Sequence, residues 1–418
     1  MSGHYLPRVR DQYEDYPYPE RSPDDERTRL LQTNLDDLAK LNHYCFNGNL
    51  FNIKNINVLV AGGGTGDALI FLAEQLRELG GHVTYVDIST TSMNIAKKRA
   101  EIRDLSNVSW IHGSLLELDS NIIGKFDYIN CSGVLHHLAD PSKGLITLKS
   151  LLKPHGCMGI MVYAKYGRTA IYQIQELMRL INDEDLDAES RITNTELILN
   201  ELPETNWLKR SEELFSDHRR YGAIGIYDLF LHSQDRAYSI PELKDWLEEC
   251  GLEFIEFAEQ KEKYDPAFYL KNSRILESIR NKGRWGKYAI SELVSGSIIK
   301  HAFYCGLNAN TTMSLSDNAR LVFKDMGMLR DIVSIMIPKH YGQSYKVIRN
   351  NNLVVEIPVN QASAIFFQNI DQKNTFGKIR KKIEKKLHLN PEKRKALLVE
   401  YSEILDSLIK HEEVFLSR

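Results

Sequence analysis

The sequence predicts an α/β fold, a mostly parallel sheet with helices on both faces, followed by a smaller α+β unit. Three observations predict it. From Val58 onward, strand-like apolar runs alternate with amphipathic helical segments, which is the rhythm of βαβ units. The first of those strands runs straight into a glycine-rich turn, Gly62-Gly63-Gly64-Thr65-Gly66, and then into a helix. Further polar motifs stand at the ends of the next strands, the edge at which an open α/β sheet binds ligands.

The elements follow in order. The stretch to about Pro23 is rich in Tyr, Pro and Asp without a sustained period, and reads as an ordered arm or loop. A helical pattern runs from Asp24 to about Cys45. VLVAGG, HVTYVD, VSWIHGS, FDYINCSG and CMGIMVYA then read as five strands, with helices at 67–80, 91–105 and 144–153 between them. From about 167 to 235 the rhythm stops, and a charged helical stretch reads as an insertion or lid. The α/β pattern returns with PELKDWLEECG, a helix opened by Pro241 and stopped by Gly251, the expected asymmetry of helix ends. LEFIEFAE and IIKHAFYCGL supply two more strands.

The polar segment Asn308–Ala319 is the expected boundary between a first domain over 1–310, with its arm at 1–23, and an accessory domain over 320–418. In the latter, YKVIR and LVVEIPV flank Asn350-Asn351-Asn352 as a hairpin. Two helices follow, the second carrying Leu397, Tyr401, Ile404 and Leu408 on one face. The order of elements suggests a winged-helix-like unit.

Composition narrows the class. The 418 residues carry 53 Lys+Arg against 56 Asp+Glu, a net charge of −3. This argues against holding nucleic acid by bulk charge. Five scattered cysteines with no C-x-x-C pair fit a reducing compartment better than disulfides or zinc. No run reaches the 18 or so apolar residues of a membrane helix, and the N-terminus lacks the apolar core of a signal peptide. A cytoplasmic, bacterial protein without a metal is expected.

The chemistry is carried by four motifs. Glycines at 62, 64 and 66 allow a tight turn and close backbone approach to a ligand. HVTYVDIS ends a strand at Asp87, whose carboxylate can accept both hydroxyls of a ribose. VSWIHGSLLEL and FDYINCSGVLHHLADP end the third and fourth strands.

Together they resemble the class I S-adenosylmethionine-dependent methyltransferases, over roughly residues 10 to 310. The resemblance implies a Rossmann-like seven-stranded sheet and S-adenosylmethionine as cofactor, with S-adenosylhomocysteine as product. It places Gly62, Gly63, Gly64 and Gly66 along the methionine and ribose, and Asp87 on the ribose hydroxyls. Ile88 would pack on adenine, with Ser114 and Leu115 at its edge, and Ser132 and Gly133 beside the methionine moiety. The family often has acidic residues where this chain has Val60 and Ser114. YEDYPYPE and DLFLHSQDRAYSIPEL are similar to features of a bacterial subgroup whose members often carry extra domains.

His136 and His137 follow the fourth strand directly, near where the methyl would point. Either is a candidate base, and a packing role is equally open. Tyr13, Tyr16 and Tyr18 in the arm are expected to face the site and close over the cofactor. His301 and Cys305 read as core or strand-surface residues of a late strand rather than metal ligands. The basic run KNTFGKIRKKIEKKLHLNPEKRK reads first as a solvated helix face, and otherwise as a patch for nucleic acid or an anionic surface, or a contact for a partner or a second copy. The insertion and accessory domain point to a protein or peptide acceptor. A biosynthetic small-molecule enzyme, or a silent cofactor-binding interaction protein, stands as the alternative.

Overall fold

Residues Asn57–Ala61, NVLVA, form β1, a strand buried along almost its whole length as befits the centre of a sheet covered on both faces. The computed structural model describes residues 7–183, 185–259, 261–349 and 352–418. The remaining strands of the first sheet are β2 (His82–Asp87), β3 (Val108–His112), β4 (Phe126–Ser132), β5 (Leu152–Ala164), β6 (Ala237–Tyr238), β7 (Glu253–Phe257) and β8 (Lys300–Gly306). Their order is β3-β2-β1-β4-β5-β8-β7, with β6 set against the end of β5. Strands β1 to β6 pair in parallel, whereas β8 runs antiparallel to β5 and β7. The seven expected strands are all present, and the two-residue β6 is an addition. Strand order reverses between β1 and β4, which opens a crevice at their carboxyl ends.

The chain divides into two compact units, one of residues 1–37 and 54–309, the other of 38–53 and 310–418. This departs from the expected contiguous division, because residues 38–53 pack with the C-terminal segment. Two expected elements also change. The arm contains a helix, Pro7–Asp15. The helical pattern of 24–45 yields only a short 3₁₀ turn at Pro23–Arg27 and a helix at Leu38–Tyr44. Between them the backbone is claimed by tertiary partners: the Tyr128 and Tyr304 hydroxyls donate to the Leu35 carbonyl at 2.8 and 3.0 Å.

The insertion between β5 and β6 has helices at 169–181, 188–201, 207–211, 217–220 and 222–230, and its own core around Ile171, Ile174, Met178, Leu229 and Phe230.

In the second unit, β9 (Arg320–Phe323) pairs with β12 (Val414–Ser417), and β10 (Ser344–Arg349) with β11 (Asn352–Pro358), both antiparallel. The hairpin is as expected, though Asn350 and Asn351 in its turn lie outside the described residues. Helices at 361–368, 376–386 and 391–410 follow the hairpin, and a helical stretch at 326–339 precedes it. In the helix 376–386, Phe376, Ile379 and Ile383 are buried, while Arg380 pairs with Asp317 and Glu384. Leu397, Tyr401, Ile404 and Leu408 are buried as one face of the last helix.

Candidate functional site

The glycine turn leaves β1 with the Gly62 and Gly63 N–H groups bonded to the Val86 carbonyl at 2.8 and 3.1 Å. Gly62 has φ +73° and a Cβ there would fall 2.4 Å from the Val134 side chain. A side chain is thus excluded on both conformational and steric grounds. Gly64 has φ +51° and its N–H donates to Asp87 at 2.8 Å. The other Asp87 oxygen accepts the Ser89 N–H, also at 2.8 Å. Each oxygen therefore keeps an acceptor position. Burial pushes the Asp87 carboxyl up, opposed by the N–H groups of Ser89, Gly64 and Ile88. A bound diol would add two donors to the ionised form.

These residues line a cavity of about 820 Å³ within the first unit, at the carboxyl ends of β1, β2 and β4. Gly62, Gly63, Gly64, Asp87, Ile88, Ser114, Leu115, Ser132 and Gly133 all reach its wall. Gly66 does not; it starts the following helix from a left-handed conformation, against Ala96. Ser114 caps the turn after β3 by accepting the Leu116 N–H. Opposite lies Asp36, which the motifs did not indicate. It is 1% exposed and accepts from Thr33 Oγ1 at 2.6 Å, Asn130 Nδ2 at 2.8 Å and Tyr128 at 3.2 Å. Burial outweighs those bonds and raises its carboxyl to about 7.

The arm reaches this wall. Tyr13 and Tyr18 line the cavity, together with Pro19. Tyr16 is a correction: its ring stacks on Tyr227 at 5.0 Å and packs against the core of the insertion. The arm is fastened by polar contacts. Glu14 accepts the N–H groups of Thr90 and Thr91 at 2.7 and 2.9 Å and the Thr91 hydroxyl at 2.8 Å. A carboxylate thus caps the helix Thr90–Ile102. Burial would raise Glu14, but these donors hold it down to about 2. Thr65 donates to the Pro19 carbonyl at 2.7 Å, and Arg21 pairs with Asp67 at 2.7 Å.

Beyond Gly133 the cavity ends in aromatic and charged groups. His137 is on its wall; its Nδ1–H donates to the Gln234 carbonyl at 2.8 Å, leaving Nε2 as acceptor. Burial pulls its basicity down. His136 has the position that the packing alternative expected. It is 0% exposed, lies off the cavity wall behind Tyr163 at 4.1 Å, and neither ring nitrogen has a partner among the described residues. It packs rather than reaches a reacting group.

Tyr163, Arg168, Asp217 and Asp228 line this end, together with Glu259 and Lys300. The Arg168 guanidinium lies 3.5 Å over the Tyr163 ring and 3.6 Å from Asp235. His136, His137 and Asp235 bring possible metal-ligand atoms within 4.8 Å of one another. The adjacent Arg168 already supplies Asp235 with a cation. Apart from its place in DLFLHSQDR, nothing in the spacing marked Asp228, because the insertion brings it to the site from a separate helix.

Residues 59–158 match a family model described as a methyltransferase domain. The chain is 31% identical over 268 residues to an uncharacterised protein of Synechococcus sp., covering 63% of each chain. It is 35% identical over 115 residues to the tRNA 5-carboxymethoxyuridine methyltransferase of Escherichia coli K12, covering 27% of this chain and 42% of that one. It therefore spans less than two thirds of the length of these curated relatives. Among solved structures it is similar to PKMT2 from Rickettsia typhi, with a TM-score of 0.63 at 17% identity over 93% of this chain and 77% of that chain. The same protein in complex with AdoHcy aligns with a TM-score of 0.62 at 17% identity over 94% and 76%. That likeness is one of fold. No helix among the described residues is long and apolar enough to cross a membrane. The family match starts in β1 and ends in β5, enclosing the glycine turn, Asp87 and the ends of β3 and β4, and the chain thus carries a methyltransferase domain of the class I S-adenosylmethionine-dependent family.

Proposed function

We propose that this chain transfers a methyl group from S-adenosylmethionine to an acceptor that enters between the arm and the helical insertion, and that the acceptor is part of a protein or peptide. The observation that carries the methyl-transfer reading is the Asp87 carboxylate. Each of its oxygens is already held by one backbone N–H and is aimed into the cavity beside the glycine turn. The sulfonium supplies an activated methyl, so the protein needs mainly to hold, align and exclude water. The glycine turn and Asp87 hold, and Tyr13 and Tyr18 exclude water. The helical insertion and the second unit favour a macromolecular acceptor, since neither is needed to bind the cofactor. A small-molecule acceptor is the second reading. A volume of about 820 Å³ is within the range of small-molecule sites.

Calorimetry with S-adenosylhomocysteine tests the cofactor half. Asp87→Ala is expected to weaken binding by about 1.5–3 kcal/mol, the scale of hydrogen bonds to a charged group. Unchanged affinity, or tight NAD binding by the parent, would sink the assignment. Labelled-methyl transfer into cell lysate, separated into protein, nucleic acid and small-molecule fractions, tests the acceptor half. Label confined to the small-molecule fraction would select the second reading.

A further inference from the structure

Asp228 is 6% exposed and lines the cavity, yet among the described residues no hydrogen bond or ion pair engages its carboxylate. A buried carboxylate gains from a donor, and the cavity it lines is where a ligand can bring one. Its surroundings say what kind of group. The rings of Tyr13, Tyr18 and Tyr163 stand on the same wall. Their hydroxyls are kept neutral, chiefly by burial, and Tyr18 donates to Asp217 at 3.0 Å. His137 and His232 are held neutral by burial as well. The carboxylates of Asp217 and Asp228 share this wall with Glu259, which pairs with Lys300 at 3.0 Å, and with the Arg168 guanidinium, which lies over the Tyr163 ring and 3.6 Å from Asp235. Aromatic faces combined with excess carboxylate favour a cation and repel an anion.

Resting on the methyltransferase reading above, we infer that the acceptor is an amine, entering as an ammonium ion among Tyr13, Tyr18 and Tyr163, and that Asp228 takes its proton. An ammonium nitrogen has no lone pair to offer. When one N–H proton passes to the Asp228 carboxylate, the amine is neutral and the acid uncharged. The nitrogen lone pair then forms the N–CH₃ bond as the C–S bond breaks, and that bond's electron pair stays on sulfur. The product leaves as a methylammonium ion, and Asp228 returns its proton to solvent. Burial raises the Asp228 carboxyl to about 7, opposed by Arg168 and reinforced by Asp235 and Asp217. It can therefore both accept and release a proton near neutrality. A phenol or carboxylic acid acceptor would have to place an anion among these carboxylates.

The test uses the full chain saturated with S-adenosylhomocysteine and titrated calorimetrically with n-butylammonium, butyrate and p-cresol. It is paired with labelled-methyl transfer to n-butylamine. Butylammonium is expected to bind best, Asp228→Asn to weaken it at least tenfold, and Asp228→Glu to recover part of the loss. S-adenosylhomocysteine affinity is expected to stay within about twofold in both variants. Tighter binding of butyrate or p-cresol, no measurable butylammonium binding, or an unchanged affinity in Asp228→Asn would overturn the inference. So would loss of S-adenosylhomocysteine binding in that variant, which would place Asp228 in the cofactor subsite. A parent chain that binds no S-adenosylhomocysteine would instead refute the underlying methyltransferase reading and take this inference with it.

Discussion

Asp36 and Asp87 show how differently two buried carboxylates can be announced. Asp87 ends a strand at a fixed distance from a glycine turn, so both partners of the motif lie within one βαβ unit and spacing alone locates it. Asp36 sits in an irregular stretch and is buried by Tyr128, Asn130 and Thr33, partners that no local pattern connects. Its consequence is measurable. Its folded value of about 7 lies above the ordinary 3.8 of a free aspartate. Between these two, the folded chain keeps a proton that the unfolded chain has lost. Stability from this group therefore falls as pH rises from about 4 to about 7. Asp36→Asn removes that loss, and its amide can still serve Asn130 and Thr33. The variant is expected to gain thermal stability relative to the parent at pH 8 and to gain little at pH 4.5. Scanning calorimetry at the two pH values checks it, and an equal gain at both would contradict it.

At the scale of elements, the central strands and their helices were legible because period and burial agree there: β1 and β4 are apolar runs and become buried strands. The arm helix was not, because Pro7–Asp15 has no acidic first turn or basic last turn and the prolines beyond it suggest an extended segment. What holds it is Glu14 at the start of the helix Thr90–Ile102, a contact between distant positions of the same unit. Glu14 is depressed to about 2 from 4.5. Its contribution is therefore present above about pH 4.5 and lost as pH falls toward 2. Hydrogen exchange of residues 7–15 should accelerate over that window, and Glu14→Gln should show faster exchange already at pH 7. Deleting residues 7–20 removes this cap together with Tyr13 and Tyr18. It is expected to weaken S-adenosylhomocysteine binding and also to lower the melting temperature. Full affinity in the deletion variant would show that the arm does not cover the cofactor.

For the whole molecule, the division into two units was partly legible. The polar stretch 308–319 marks the passage at Asn310. Nothing local told that residues 38–53 belong elsewhere, because Leu38, Leu41 and Tyr44 read as one more amphipathic helix. Within the second unit, Lys40 pairs with Glu412 at 2.7 Å, and the Leu416 N–H donates to His43. All residues on the cavity wall lie in the first unit. A chain ending at 310 is expected to keep S-adenosylhomocysteine affinity within about threefold. It should also self-associate, since the apolar side of 38–53 loses its cover. Light scattering and calorimetry on one preparation would read both, and loss of binding by a folded monomeric fragment would show that the second unit completes the site.

Lys40 and Glu412 are 372 positions apart, so the order of synthesis separates them widely. During translation the loop 38–53 emerges early, while the strand that closes over it is made only after the insertion and the rest of the sheet. The first unit must therefore fold around a short excursion whose own partner does not yet exist. In that interval Leu38, Leu41, Tyr44 and Leu50, all buried in the finished chain, face the solvent or a chaperone. Once residue 310 has left the ribosome, the nascent chain would be able to assemble its cofactor cavity yet still be sticky at this one segment.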